Sequence, residues 1–116
     1  MPTAMPSTTN YQAGDLVLVD FPYAGGKQVK TRPALVIVDT GDADVVAARV
    51  TTQATSAYHD VPIADWQGAG LLAPSTARLH KLATLEKSLI RRILGSLQPG
   101  DRNQVSLIMK QVYGTW

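Results

Sequence analysis

Short runs of apolar residues along the chain are separated by glycine, proline and polar clusters, a pattern typical of a mainly β protein. A β-branched and aliphatic run from Asp15 to Phe21, bounded by Gly14 and Pro22, predicts the first strand. We predict further strands over residues 34–38, 45–52, 58–63 and 78–85. The second strand is apolar throughout, which predicts burial on both faces. Pro33 is expected at its start, because proline lacks the amide that a paired strand requires.

The hydrophobic period changes in the last part of the chain. Residues 87–92 predict a single helical turn that ends by Gly95. A C-terminal amphipathic helix is predicted from apolar residues at helical spacing, with Asp101 as its N-cap and Gly114 as its end; the apolar residues are Val105, Ile108, Met109 and Val112. About five strands followed by one helix favour a small curled antiparallel sheet or barrel covered by that helix. A domain of this size has little surplus stability, and formation of a dimer would bury further surface and add to that stability.

Length and composition narrow the class of protein. A chain of 116 residues with 45% hydrophobic and 17% charged residues is typical of one globular domain. Residues 1–12 hold two prolines and no charge, which predicts a flexible tail before a single domain over residues 13–116. No apolar run is long enough to span a membrane, and the first basic residue is Lys27, unlike a secretory signal. We therefore expect a cytoplasmic protein.

Metal, cofactor and thiol chemistry find little support in the sequence. The absence of cysteine excludes disulfides, thiolate metal sites and a cysteine nucleophile. The acidic stretch Asp39–Asp44 lacks the distal glutamate of a calcium loop, and aspartates also favour tight turns. His59 and His80 are the only histidines. They could share the proton transfers of a two-histidine nuclease, although nothing in their spacing indicates that they meet. A protein without metal or cofactor is the favoured interpretation.

Basic residues are unevenly distributed, although the net charge is only +2 and the isoelectric point 9.1. Residues 78–92 contain five lysines and arginines and one acid, Glu86. A second basic cluster comprises Lys27, Lys30 and Arg32. Together with the aromatic residues Tyr23 and Tyr58, these clusters would suit a nucleic-acid backbone and stacked bases. The alternative is a solvated strand face with no binding role.

One pair of residues argues for phosphate chemistry. If the second and third strands pair antiparallel across the turn at Gly41, Arg32 and Thr51 lie at the same edge of the sheet. An arginine fork held beside a rigid strand suits phosphate oxygens. With a neighbouring threonine hydroxyl, it can stabilise the extra negative charge of a five-coordinate phosphorane.

These residues also carry a family resemblance. The sequence blocks at residues 14–22, 32–37, 50–51 and 81–97 resemble, in order, the MazF/PemK family of toxins from toxin–antitoxin pairs. The resemblance implies a small SH3-like barrel with a C-terminal helix and a homodimer. It further implies a metal-independent endoribonuclease that cuts single-stranded RNA through attack by the RNA's own 2′-hydroxyl, leaving a 2′,3′-cyclic phosphate and a 5′-hydroxyl. By position, Arg32 and Thr51 match the family's catalytic arginine and threonine.

The resemblance also implies an RNA-binding groove and a protein partner. Its candidate RNA-binding residues are Lys27, Gln28, Lys30, Thr52, Gln53, His59 and Lys81. His59 is in addition the candidate for removing the 2′-hydroxyl proton. The partner implied is a cognate antitoxin that lays an acidic segment over the basic groove. Two alternatives stay open: a toxin of the same fold that poisons DNA gyrase, and an inactive RNA-binding relative.

Overall fold

A computed structural model describes residues 10–22 and 29–116, which form six antiparallel strands and a C-terminal helix. The elements are β1 (Asp15–Pro22), β2 (Val29–Val38), β3 (Asp44–Thr51), β4 (Asp60–Pro62), β5 (Thr76–Glu86), a 3₁₀ turn (Lys87–Leu89), β6 (Ile90–Ser96) and α1 (Pro99–Tyr113). The strands form one sheet in the order β4-β5-β3-β2-β1-β6. The predicted class, mainly β with a C-terminal helix, is confirmed. Residues 1–9 of the predicted tail lie outside the described residues.

The prediction of a helical turn through Arg92 is wrong. Only Lys87–Leu89 is helical, and Ile90 begins the strand β6, which pairs with β1 through Val17↔Ile93 and Leu18↔Arg92. Without β6, the backbone polar groups of β1 along this edge would have no partner in the sheet. The need to pair a central strand therefore outweighs the weak local helical pattern of this segment.

The sequence predicts Pro33 at the start of its strand, but in the structure Pro33 lies inside β2. The strand starts at Val29, and Pro33 is opposite Leu18 of β1. On its other side, β2 pairs with β3 only from Ala34 onward. The proline thus occupies a part of the strand that is paired on one side, where a missing amide is tolerated.

Asp101 is not the N-cap of the C-terminal helix. The helix begins at Pro99 after Gln98, and Asp101 lies buried in its first turn. Its carboxylate oxygens accept hydrogen bonds from the amides of Ala64 and Asp65, each at 2.9 Å. A negative charge in the first turn also suits the helix dipole. Asp101 therefore ties the connection between β4 and β5 to the start of α1. The predicted end at Gly114 is confirmed, since the helix stops at Tyr113.

The sheet has a hydrophobic cluster on each face. One cluster lies against α1 and includes Leu35, Leu79 and Ile108. The other includes Val19, Val36 and Leu85 and lies on the opposite face. The expected burial of β2 on both faces is confirmed for Ala34, Leu35 and Val36, which alternate between the two clusters, whereas Val38 is 43% exposed. Within the described part of the chain, no helix is long and apolar enough to cross a membrane.

Gly70 permits a close approach between the β4–β5 connection and β6. It has a φ of +88°, and a Cβ at this position would overlap the carbonyl oxygen of Leu94. Gly41 has a similar φ of +91° but open space around it. Both alanine variants incur the left-handed backbone penalty of about 1–2 kcal/mol. We expect Gly70→Ala to lower the melting temperature clearly more than Gly41→Ala, because only Gly70→Ala adds a steric clash. Thermal unfolding followed by circular dichroism would measure this, and equal losses would contradict the close packing.

Candidate functional site: a basic groove on the sheet

A groove of about 350 Å³ crosses β2, β3 and β5 on the face that carries Val19 and Val36. Small side chains form part of its lining, namely Ala34, Ala47 and Ala83. Four cationic residues also line it: Lys30, Arg32, Arg49 and Lys81. Small residues between long basic ones leave space for a ligand with negative charge.

Strand register brings these residues to one face. Ala34 of β2 lies opposite Arg49 of β3, and side chains alternate along each strand, so Arg32 and Arg49 project from the same face. The pairing of β2 with β3 ends at Ala34 and Arg49, and Arg32 and Thr51 each lie two residues beyond that pair. Arg32 is half-buried, and it lies opposite Val19 of the adjacent strand β1. The packed strands thus restrict where its guanidinium can lie.

Thr51 and the two residues after it lie just beyond the groove lining. The Thr51 hydroxyl oxygen accepts a hydrogen bond from the amide of Gln53 at 3.1 Å. A hydroxyl that accepts through its oxygen keeps its hydrogen for donation. Thr52 and Gln53 are exposed in the bend that follows β3. Of the other sequence candidates, Lys30 and Lys81 line the groove, whereas Lys27 and Gln28 lie outside the described residues.

Three of the cations that line the groove have no salt bridge among the described residues. Among the described residues, no carboxylate forms a salt bridge with Arg32, Arg49 or Lys81. Asp60 instead pairs with Arg78, at 3.0 Å. Asp20, which accepts a hydrogen bond from Thr31, projects from the opposite face. The arrangement therefore favours an anionic ligand such as a phosphodiester chain.

Arg49 is a groove residue that the sequence analysis did not single out. It precedes Thr51 by two positions, so strand alternation predicts that both project from the same face. That signal was present in the sequence. Arg49 lies outside both basic clusters of the sequence, so local charge density does not indicate that it belongs to the groove.

The structure brings the two histidines together, although their spacing did not indicate it. The rings of His59 and His80 are 4.6 Å apart, and Tyr58 contacts His59 with a ring separation of 4.4 Å. Asp60 lies beside them, with its Oδ1 3.9 Å from Nδ1 of His80. Burial opposes ionisation of Asp60, but Arg78, Thr55 and the Ala57 amide together hold its pKa below the usual range. Burial, together with electrostatic interaction with His59 and Arg78, lowers the pKa of His80 and favours its neutral form.

Comparisons with known proteins agree with this fold. Residues 12–113 match the family of PemK-like, MazF-like toxins of type II toxin–antitoxin systems. A solved endoribonuclease from a mycobacterial species has a TM-score of 0.71 at 20% identity, covering 93% of this chain and 96% of its own. A mycobacterial endoribonuclease in complex with its cognate antitoxin has a TM-score of 0.70 at 21% identity, and the match covers 89% of this chain and 94% of that chain. A MazE–MazF structure from Deinococcus radiodurans has a TM-score of 0.73 at 22% identity, and the match covers 93% of this chain and 99% of that chain. No curated protein matches the sequence.

Proposed function

Because the chain belongs to the PemK-like, MazF-like toxins of type II toxin–antitoxin systems, we propose that it is a metal-independent endoribonuclease that cuts single-stranded RNA at short sequences. The observation that carries this proposal is the basic groove, in which Arg32 and Arg49 have no carboxylate partner among the described residues. The groove would attract the RNA backbone, and Arg32 on β2 and Thr51 at the end of β3 would act on the same phosphate.

In the proposed reaction, the 2′-hydroxyl of the RNA attacks the adjacent phosphorus, and the bond from phosphorus to the 5′-oxygen breaks. The 2′-proton passes to a base, and the departing 5′-oxygen takes up a proton. The products are a 2′,3′-cyclic phosphate and a 5′-hydroxyl. Arg32 would stabilise the charge of the phosphorane and assist protonation of the leaving oxygen. The Thr51 hydroxyl, whose oxygen is already occupied by the Gln53 amide, would donate its hydrogen to a phosphoryl oxygen.

The partners follow from the same surface. An acidic antitoxin segment would neutralise the protein by occupying the cationic groove in place of RNA. A homodimer is the proposed assembly, and β6 is a candidate contact because it is an edge strand with Ile93 about half exposed. Lys30, Thr52, Gln53, His59 and Lys81 are the proposed RNA-binding residues within the described part of the chain.

The test is incubation of purified protein with a long single-stranded RNA in excess EDTA, followed by mapping of the RNA ends. We expect discrete cuts that leave 2′,3′-cyclic phosphates. Arg32→Ala purified in parallel controls for contaminating nucleases and should leave the RNA intact. Uncut RNA after incubation with the folded wild-type protein would contradict the proposal and would favour a binding role, such as DNA gyrase inhibition.

A further inference from the structure

The aromatic rings of Tyr58, His59 and His80 form a ladder that adjoins the basic groove. Asp60 of β4 lies opposite Arg78 of β5, which in turn lies opposite Arg49, a groove residue of β3. His80 is two residues after Arg78 and directly precedes Lys81, another groove residue. The ladder therefore continues the groove toward the β4 edge of the sheet.

The outer ring of the ladder is available to a ligand. The Tyr58 side chain is 60% exposed, whereas one of its faces contacts His59. Both histidines keep a buried Nδ1 without a hydrogen-bond partner among the described residues. Unsatisfied buried polar atoms are costly, so their presence points to a role other than stabilisation of the fold. The lowered pKa of His80 favours its neutral ring within the ladder.

The position of the ladder suits binding better than proton transfer at the bond cleaved beside Arg32. His80 lies on β5, two strand-to-strand intervals from β2, which carries Arg32. Tyr58 and His59 directly precede β4, so three such intervals separate them from β2. At about 4.8 Å each, they correspond to roughly 14 Å across a flat sheet. A group at that distance would contact a neighbouring nucleotide. Single-stranded RNA is commonly bound by stacking unpaired bases on tyrosine and histidine rings, beside cations that hold its phosphates.

We propose that Tyr58, supported by His59 and His80, is a base-stacking subsite that binds one unpaired nucleobase of the RNA outside the cleaved bond. Arg49 and Lys81 hold the adjoining phosphates. This inference rests on the proposed function, since it requires an RNA substrate in the groove. The subsite extends the length of RNA that the protein reads, and its stacking contact tolerates different bases because each base has a π face.

The first test measures RNA affinity by fluorescence anisotropy. The probe is an RNA that contains the mapped cleavage site, with a 2′-deoxy sugar at the cleaved position so that it stays intact. We expect Tyr58→Ala to weaken binding about tenfold. Tyr58→Phe and Tyr58→Trp should bind like the wild type, whereas Tyr58→Leu, which retains bulk without a π face, should bind like Tyr58→Ala. Trp116→Ala, which removes a fully exposed aromatic ring outside the groove lining, is the control and should have no effect.

A second test identifies the partner base. Abasic sites are placed one at a time along the same RNA, and one of them should weaken binding to the wild type but not to Tyr58→Ala. The slope of affinity against salt concentration should be unchanged by Tyr58→Ala but reduced by about one by Lys81→Ala. Wild-type affinity in Tyr58→Ala, or in Tyr58→Leu, would overturn the subsite even when the wild-type protein cuts RNA. Failure of the wild type to cut RNA would instead overturn the proposed nuclease.

Discussion

Arg32→Ala is expected to slow RNA cleavage by at least about a hundredfold while the protein stays folded. The expected loss is large because the guanidinium would contact the phosphate where negative charge develops. Little loss of stability is expected, because Arg32 is half-buried and forms no salt bridge among the described residues. Cleavage rates in EDTA and a melting temperature for each variant would measure both effects.

Two further variants test whether the effect is specific to the Arg32 guanidinium or is a general effect of positive charge in the groove. Arg32→Lys keeps the positive charge but loses the planar fork, so its rate should lie between those of the wild type and Arg32→Ala. Arg49→Ala removes a cation from the same groove without touching the proposed catalytic pair. It should weaken RNA binding and leave the rate at saturating RNA nearly unchanged. Full activity in Arg32→Ala would remove the proposed mechanism.

The antiparallel pairing of β2 with β3 could be predicted because it depends on local information. A turn at Gly41 between two apolar runs specifies an antiparallel pair, and counting outward from the turn relates Arg32 to Thr51. The same counting would have included Arg49. The Asp39–Asp44 turn is also local: Asp39 and Asp42 accept hydrogen bonds from the amides of Gly41 and Asp44, the pattern of Asx-turns.

The histidine pair could not be predicted because it depends on a non-local irregularity. Between Arg49 and Ala48 the partner on β5 changes from Arg78 to Leu82, so three residues of β5 bulge out of the register. The bulge contains His80, and the ring of His80 contacts the ring of His59, which lies in the connection between β3 and β4. No local motif predicts where a long strand will bulge, since that depends on how the sheet must bend. The strand β6 was missed for a related reason, because its pairing with β1 outweighs its own weak helical pattern.

Ile108→Asp is expected to unfold the protein or to lower its stability by about 3–5 kcal/mol. Ile108 is 9% exposed and belongs to the hydrophobic cluster between α1 and the sheet, where a carboxylate would be buried among apolar side chains. A small domain has a total stability of about 5–15 kcal/mol, so a loss of this size leaves much of the protein unfolded. Leu107→Asp is the matched control, because Leu107 is the preceding helical residue and is 50% exposed.

Ile108→Asp is also expected to disturb the groove, because α1 contacts the strand β5 that lines it. The helix packs against β4 and β5, and the Tyr113 hydroxyl donates a hydrogen bond to the carbonyl of Leu79 at 2.6 Å. Leu79 lies on β5 between Arg78 and His80, so a displaced helix would loosen the strand that carries His80 and Lys81. Chemical denaturation of both variants would measure the stability difference, and RNA cleavage by the folded fraction would report on the groove. Equal stabilities for the two variants would show that Ile108 is not buried against the sheet, and that α1 does not hold β5 in place.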